Sequence, residues 1–291
     1  MAFESKCVAN VITKSEIQRI AGALQVAPQI VDHDYALGCF LTFLYEQPHV
    51  NRFWIFKGGT ALAKCYFRNY RFSEDLDFTV LGGLAPDNVV TCIDTAAKRM
   101  FASVGIETSH ENIHIELVND DYGKESIEAR VYYQSAWDYG GSKRKILLHL
   151  NRDETLVFPP RALRLFHDYS DEAILPHSTM TVYAKEEILC EKLRAFCGQR
   201  KHAIARDIFD MYHLIRTDVD VASVLQAFPQ KCNVKSIDWT GIEIDSILKR
   251  KGEYQNNWKN NLEYLVPAGW KCSFDDAWKA ATELLRKVLV S

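Results

Sequence analysis

The stretch from Lys57 to Phe78 constrains this chain most. It reads Lys57-Gly58-Gly59-Thr60-Ala61-Leu62 and, a few residues on, Arg71-Phe72-Ser73-Glu74-Asp75-Leu76-Asp77-Phe78. The apolar run Phe53-Trp54-Ile55-Phe56 predicts a strand before it, and the glycine pair predicts a turn into a short helix. The acidic segment predicts a second strand to about Val80, ended by Gly82-Gly83. Side chains at i and i+2 of a strand share a face, so Asp75 and Asp77 point one way while Leu76 and Phe78 enter a core. Two carboxylates this close repel each other unless a cation lies between them. Their hard oxygens suit magnesium. A glycine turn lets backbone N–H groups approach an anion, and a helix start favours phosphate. Metal-holding acids beside a phosphate-cradling turn describe phosphoryl or nucleotidyl transfer.

Length and composition set the frame. The 291 residues suffice for one large or two ordinary domains, and 47% apolar with 25% charged residues is a globular balance. A net charge of -3 excludes a global basic signature for nucleic acid or membrane, though not a local basic patch. The cysteines (Cys7, Cys39, Cys65, Cys92, Cys190, Cys197, Cys232 and Cys272) form no C-x-x-C pair, so no zinc site is expected from their spacing. Cys190 and Cys197 fall on a helical pattern and read as core or half-buried positions. With no signal peptide and no run of about 18 apolar residues, the expectation is a cytoplasmic protein with free thiols and no membrane span.

Periodicity orders the rest. Thr13-x-x-Glu16 is a capping-box pattern before a short helix, and Pro28 opens a second helix that Pro48 stops. Val89, Val90, Ile93, Ala96, Ala97, Met100 and Phe101 predict a helix over 88–104. Three alternating segments follow, around Ile113–Leu117, Ile127–Tyr133 and Ile146–Leu150. With Tyr139-Gly140-Gly141-Ser142 as a hairpin, they extend the sheet as an antiparallel meander. From about Ala184 the pattern is helical: 185–199, 204–215, 221–228, 242–249, 256–265 and 274–289. The expected class is α+β: a mixed-sheet domain over 1–165, a mainly helical domain over 166–291, and an active site in the cleft between them.

A second constellation lies in the helical half: Glu187-Ile188-Leu189-Cys190-Glu191-Lys192-Leu193-Arg194-Ala195, then Arg206-Asp207-Ile208-Phe209-Asp210. Asp207 and Asp210 sit i, i+3 on one helix face, where Lys192 of the preceding helix would reach them. Local sequence allows two readings. One is a salt-bridged helical pair on a solvated face. In the other, Lys192 meets a triphosphate as a point charge.

The four motifs in order resemble the AbiEii/AbiGii toxin family of nucleotidyltransferases, within the DNA polymerase β-like superfamily. The matching residues are Lys57-Gly58-Gly59-Thr60-Ala61-Leu62, Arg71-x-Ser73-x-Asp75-x-Asp77-Phe78, Glu187-x-x-x-Glu191-Lys192-Leu193-x-Ala195 and Arg206-Asp207-x-x-Asp210. Asp34-Tyr35-Ala36-Leu37-Gly38 is similar to the family's lead-in, and the similarity spans roughly residues 30–216. The resemblance implies a nucleotidyltransferase core with a helical lobe, acting as a type IV toxin–antitoxin or abortive-infection toxin. It implies a nucleoside triphosphate donor, the 3′ end of tRNA as acceptor, inhibition of translation, and a cognate antitoxin encoded next door. Carried over, Lys57, Gly58, Gly59, Thr60, Ser73 and Lys192 would bind the triphosphate, and Asp75 and Asp77 would hold Mg2+. Lys192 with Asp207 or Asp210 would complete the site.

One departure stands out. Many superfamily members carry a third carboxylate on a later strand. The corresponding segment here, 145–152, offers His149 or Asn151. His149 would then be the general base, or another acid would take that role, unless His149 is a structural histidine. Arg68, Arg71, Lys143, Arg144, Lys145, Arg200 and Lys201 would line an RNA path or form ordinary surface. Two other functions stay open at this point: a nucleotide sensor with a degenerate site, and the same chemistry on a protein or small-molecule acceptor.

Overall fold

The computed structural model describes residues 12–82, 85–119, 125–135, 137, 143–152, 154–177, 179–199 and 202–290. Contacts divide them into two compact units. One holds the described residues through Arg152 together with Ala162–Val182; the other holds those of 154–161 and from Tyr183 onward.

The first unit opens with α1 (Lys14–Leu24), α2 (Pro28–Tyr45) and α3 (Pro48–Phe53). Thr13 caps α1 by accepting from the Glu16 N–H at 3.2 Å. The capping box is only half made, because the Glu16 carboxylate turns to Ser170, accepting from its N–H at 2.9 Å and its hydroxyl at 2.6 Å. From Tyr35 to Tyr45 every residue of α2 is buried, the signature of a helix enclosed on all sides. Pro48 both ends the run after α2 and opens α3, where its missing N–H is tolerated.

A seven-stranded mixed sheet follows: β1 (Trp54–Lys57), β2 (Asp75–Val80), β3 (Thr108–Asn119), β4 (Glu125–Tyr133), β5 (Arg144–Asn151), β6 (Arg161–Arg164) and β7 (Thr179–Val182). Their spatial order is β3-β4-β5-β2-β1-β7-β6. β1 runs antiparallel to β2 and parallel to β7, β2 runs parallel to β5, and β3-β4-β5 is the expected meander. Between β1 and β2 the chain makes one short helix, α4 (Gly58–Ala61), continued by a π-helical turn over Leu62–Tyr66. The parallel β2/β5 pairing needs a crossover, which α5 (Pro86–Val104) and the first two meander strands supply. α5 packs Val89, Ile93, Ala96, Ala97, Met100 and Val104 inward, and Gly105 at φ +71° ends it. Phe56, Leu76, Phe78, Leu148 and Leu150, none more than 1% exposed, form the core under the central strands. β6 and β7 are additions to the expected meander sheet. The expected hairpin at 139–142 and Gly83 lie outside the described residues.

The second unit is helical: α6 (Lys185–Arg194) running into a π-helical turn over Ala195–Gln199, α7 (Ala205–Leu214), α8 (Val221–Val234), α9 (Ile244–Lys249), α10 (Lys251–Asn261) and α11 (Phe274–Val290). An aromatic cluster of Phe196, Phe209, Tyr254, Trp258, Phe274 and Trp278 fills its core, with successive rings 5.4–6.0 Å apart. No described helix is long and apolar enough to cross a membrane.

Candidate active site

In the first unit the sheet register assembles the site. Lys57 pairs with Asp77, Asp77 with His149, His149 with Glu128, and Glu128 with Glu116. Paired residues on neighbouring strands point to the same side, so these five polar side chains form one row across β1-β2-β5-β4-β3. Asp75 begins the next row, beside Leu147, Arg130 and His114. The strand pattern places Asp75 and Asp77 half-buried, and Leu76 and Phe78 fully buried behind them.

His149 Nδ1 lies 3.2 Å from Asp77 Oδ1, and its Nε2 lies 3.7 Å from Glu128 Oε2. Burial works against a charge on this ring. The hydrogen bond and charge of Asp77, with the charges of Asp75 and Glu128, outweigh it and raise the His149 pKa above the usual histidine value. Arg130 ion-pairs with Glu116 at 3.1 Å and with Glu128. Glu128 is thus a third carboxylate on the acidic face, one strand beyond the strand where sequence reading sought it. The alternation of Glu128 with Ile127 and Ala129 gave its face, but only the register shows which residue it stands beside.

The glycine turn abuts this row. Gly58 has φ +77°, and a Cβ there would strike the Asp77 carboxylate, so only glycine lets the turn approach the acid. A Cβ on Gly59 would strike the Arg71 guanidinium. Arg71 is 2% exposed, packed beneath the turn, and donates to the Phe72 carbonyl at 3.3 Å. This corrects the expectation for Arg71: a buried guanidinium cannot line an RNA path. Thr60 is also turned inward, donating to the Asp75 carbonyl at 2.5 Å and tying α4 to the start of β2. Its hydroxyl is therefore spent on the backbone, leaving the turn's N–H groups as what this segment offers an anion. Lys57 is buried at 7% exposure, and Ser73 is half-buried just ahead of β2.

His33 of α2 was not singled out in the sequence, yet it fixes the same segment. Its Nε2 meets the Glu74 carbonyl at 3.1 Å and its Nδ1 meets the Tyr133 hydroxyl at 2.9 Å. Burial is the largest influence on the ring and lowers its pKa. The neutral ring then donates from Nε2 and accepts at Nδ1.

Of the basic residues expected along an RNA path, Arg68 pairs with Asp168, Lys143 donates to Asn112 at 2.8 Å, and Arg144 donates to the Gln29 carbonyl at 2.7 Å. Lys145 is exposed; Arg200 and Lys201 lie outside the described residues.

In the second unit, Lys192 Nζ sits 2.9 Å from Asp207 Oδ1 and 2.7 Å from Asp210 Oδ2. The structure thus brings together all three predicted residues of that unit. The triad is not on a solvated face: its side chains are 10%, 10% and 0% exposed. The Glu187 and Glu191 of the same motif turn elsewhere. Lys231 of α8 lies 2.5 Å from Glu187, 2.8 Å from Glu154 and 3.3 Å from Glu191. Arg194 grips Glu154 through both terminal nitrogens, each at 3.1 Å. Glu187 also accepts the N–H groups of Val157 and Phe158, at 3.0 and 2.8 Å. Although burial opposes it, the three carboxylates hold the Lys231 ammonium charged well above the usual lysine range.

Residues 42–280 match the family described as Nucleotidyl transferase AbiEii toxin, Type IV TA system. The chain belongs to this family. It is therefore a toxin-family nucleotidyltransferase, as the motif order implied. Among solved structures it is similar to MenT4, a nucleotidyltransferase toxin from Mycobacterium tuberculosis H37Rv, with a TM-score of 0.57 and 18% identity, covering 96% of this chain and 98% of that one. It is also similar to JHP933 from Helicobacter pylori, with a TM-score of 0.56 and 20% identity over 91% of this chain and 94% of that one. At these identities the likeness is one of fold. The sequence matches no curated protein. Family membership carries the nucleoside triphosphate as donor and an antitoxin as partner.

Proposed function

We propose that this toxin transfers a nucleotide from a nucleoside triphosphate to the 3′ end of tRNA, with Mg2+ held by Asp75 and Asp77. The observation that carries the reading is the close approach of the Gly58 turn to Asp77, on a face that also presents Asp75. Two half-exposed carboxylates on one strand face are a donor set that fits magnesium. When bound, such an ion polarises the phosphoryl oxygens and favours the attacking oxygen as a nucleophile. The rest falls to the chain itself. The backbone of Gly58 and Gly59 cradles phosphate oxygens, with the buried Arg71 charge behind the turn. Lys57 and Ser73 flank that cradle in sequence. His149 stands beside Asp77, which meets Nδ1 at 3.2 Å, and its Nε2 is the ring nitrogen that takes the acceptor's proton. Lys192, Asp207 and Asp210 enter the proposal as charged candidates from their own unit.

The test incubates purified protein with each labelled nucleoside triphosphate, magnesium and total tRNA. The proposal expects label on tRNA, none with Asp75→Asn, and none after chelation. Label on protein or a small molecule would move the acceptor. Magnesium-dependent nucleotide binding without incorporation would make the chain a sensor. Lys192→Met, folded but inactive, would place that residue in the reaction. The gene beside this one is the place to seek the antitoxin, and a cytoplasmic site of action follows if tRNA is the target.

A further inference from the structure

A buried cluster in the first unit has no part in the proposed reaction. Cys39 on α2 meets His167 and Asp171 from the loop between β6 and β7. One donor atom from each, a sulfur, a ring nitrogen and a carboxylate oxygen, lies within 4.8 Å of the others. The three residues are 0%, 4% and 7% exposed. Asp171 is held from two sides: the Tyr35 hydroxyl donates to Oδ2 at 2.7 Å, and His167 Nε2 meets Oδ1 at 2.8 Å. His167 Nδ1, by contrast, is buried with no hydrogen-bond partner among the described residues. The ring is packed in place against Tyr35 and Tyr169, with centroids 5.5 and 4.8 Å away. It also leans on Gly38, where a Cβ would come within 3.0 Å of Nδ1. The nitrogen that faces Asp171 is Nε2, so an ion between these side chains takes the Nε2 electron pair and leaves the ring proton on Nδ1.

We propose that Cys39, His167 and Asp171 form a structural site for a borderline divalent cation of the zinc class. Sulfur, imidazole and carboxylate together select zinc over magnesium. Around a tetrahedral zinc such donors stand about 3.3–3.6 Å apart, so binding opens the 2.8 Å His167–Asp171 contact and draws the most distant donors together by up to about 1.5 Å. The ion replaces the proton of the Cys39 thiol, which leaves to solvent, and forms the sulfur–metal bond; the imidazole binds neutral and keeps one N–H. Tyr35 stays on the second carboxylate oxygen and orients the ligand. The site pins the loop to α2, beside a second tie in which Lys64 and Tyr169 both meet Asp34 Oδ2, at 2.6 and 2.7 Å. Cysteine spacing could not announce this site, because its ligands come from opposite ends of the unit.

The experiment uses untagged, reduced full-length protein carrying Asp75→Asn and Asp77→Asn, so that metal at the nucleotidyl-transfer face is not counted. Loaded with zinc and gel-filtered, it is expected to retain about one equivalent by mass spectrometry and to melt at a higher temperature than the metal-free protein. Loaded with cobalt, it should show a thiolate-to-cobalt charge-transfer band, a signature of cysteine ligation that Cys39→Ser should abolish. Cys39→Ser and His167→Gln, checked for folding by circular dichroism, should each lose the retained zinc and the melting shift. Absence of the charge-transfer band, or equal zinc in the parent and in folded Cys39→Ser, overturns the site. Neither result depends on nucleotide transfer, so failure of that reading leaves this one standing.

Discussion

Two regions of this molecule concentrate charge, and they use it in opposite ways. On the acidic face of the first unit, Asp75, Asp77 and Glu128 stand among Lys57, His149 and Arg130, and Asp77 and His149 are each 35% exposed. In the second unit, Glu154, Glu187 and Glu191 meet Lys231, Arg194 and Lys235, charge for charge; Lys231, Glu187 and Glu154 are at most 2% exposed. In the sealed cluster the carboxylates have their counter-charges, and Glu187 takes two backbone N–H groups besides. The open face keeps its charges within reach of water. Burial suits a fastener, and exposure suits a site that takes ligands. What separates the two is exposure, since carboxylates are plentiful in both.

The contrast can be broken experimentally. The largest effect is expected at Asp77→Asn. Transfer should fall on the order of a thousandfold, the several kcal/mol that metal charge stabilisation supplies. Its melting temperature should not fall, because one of two repelling charges is gone. An unfolded Asp77→Asn would mean that the face is a fastener after all. Lys231→Met should behave the other way, losing about 3–5 kcal/mol in urea denaturation by stranding buried carboxylates. If it melts like the parent, the cluster is not what closes that unit. Gly58→Ala should cost roughly 1 kcal/mol of stability through its positive φ. It should lower transfer by about tenfold or more, because the new Cβ displaces the Asp77 carboxylate. The smallest effect is a titration. The folded His149 pKa is raised, so its imidazolium contributes stability fully below about pH 6.5, the unfolded value. That contribution is lost as the pH rises through the folded value. Glu128→Gln removes one of the charges that raise it, so the His149 midpoint read by NMR should move down; an unmoved midpoint would remove Glu128 from the site.

The sequence was most legible where side-chain parity or helical period decides the outcome. Asp75 and Asp77 could be placed on one face from spacing alone, with Leu76 and Phe78 behind them, because a strand has only two faces. Long amphipathic helices such as α5 and α11 follow for the same reason. β6 and β7 were not legible, since four residues are too few for a period and β6 is mostly exposed. Registers were out of reach too. Only pairing sets Glu128 of β4 in one row with Asp77, with His149 between them. Burial of charge was the other blind spot. Arg71 looks like a surface cation until Gly59 is seen to leave room for it. Lys192, Asp207 and Asp210 were correctly grouped by i, i+3 spacing, but nothing local says that they are enclosed. Glu187 and Glu191 find Lys231 in a C-terminal stretch where no motif was evident.

The parallel pairing of β1 with β7 has a consequence for the order of events during synthesis. β1 and β2 leave the ribosome early, carrying the glycine turn and both aspartates. β5, which brings His149 beside Asp77, follows some seventy residues later, and β7 comes only with residues 179–182. Strands separated this far along a chain pair late, because loop closure is costly. A nascent chain therefore displays Asp75 and Asp77 long before it owns His149 or the strand that flanks β1. The row that β1, β2 and β5 build is thus completed late in synthesis, once strands from both ends of the first unit have been made.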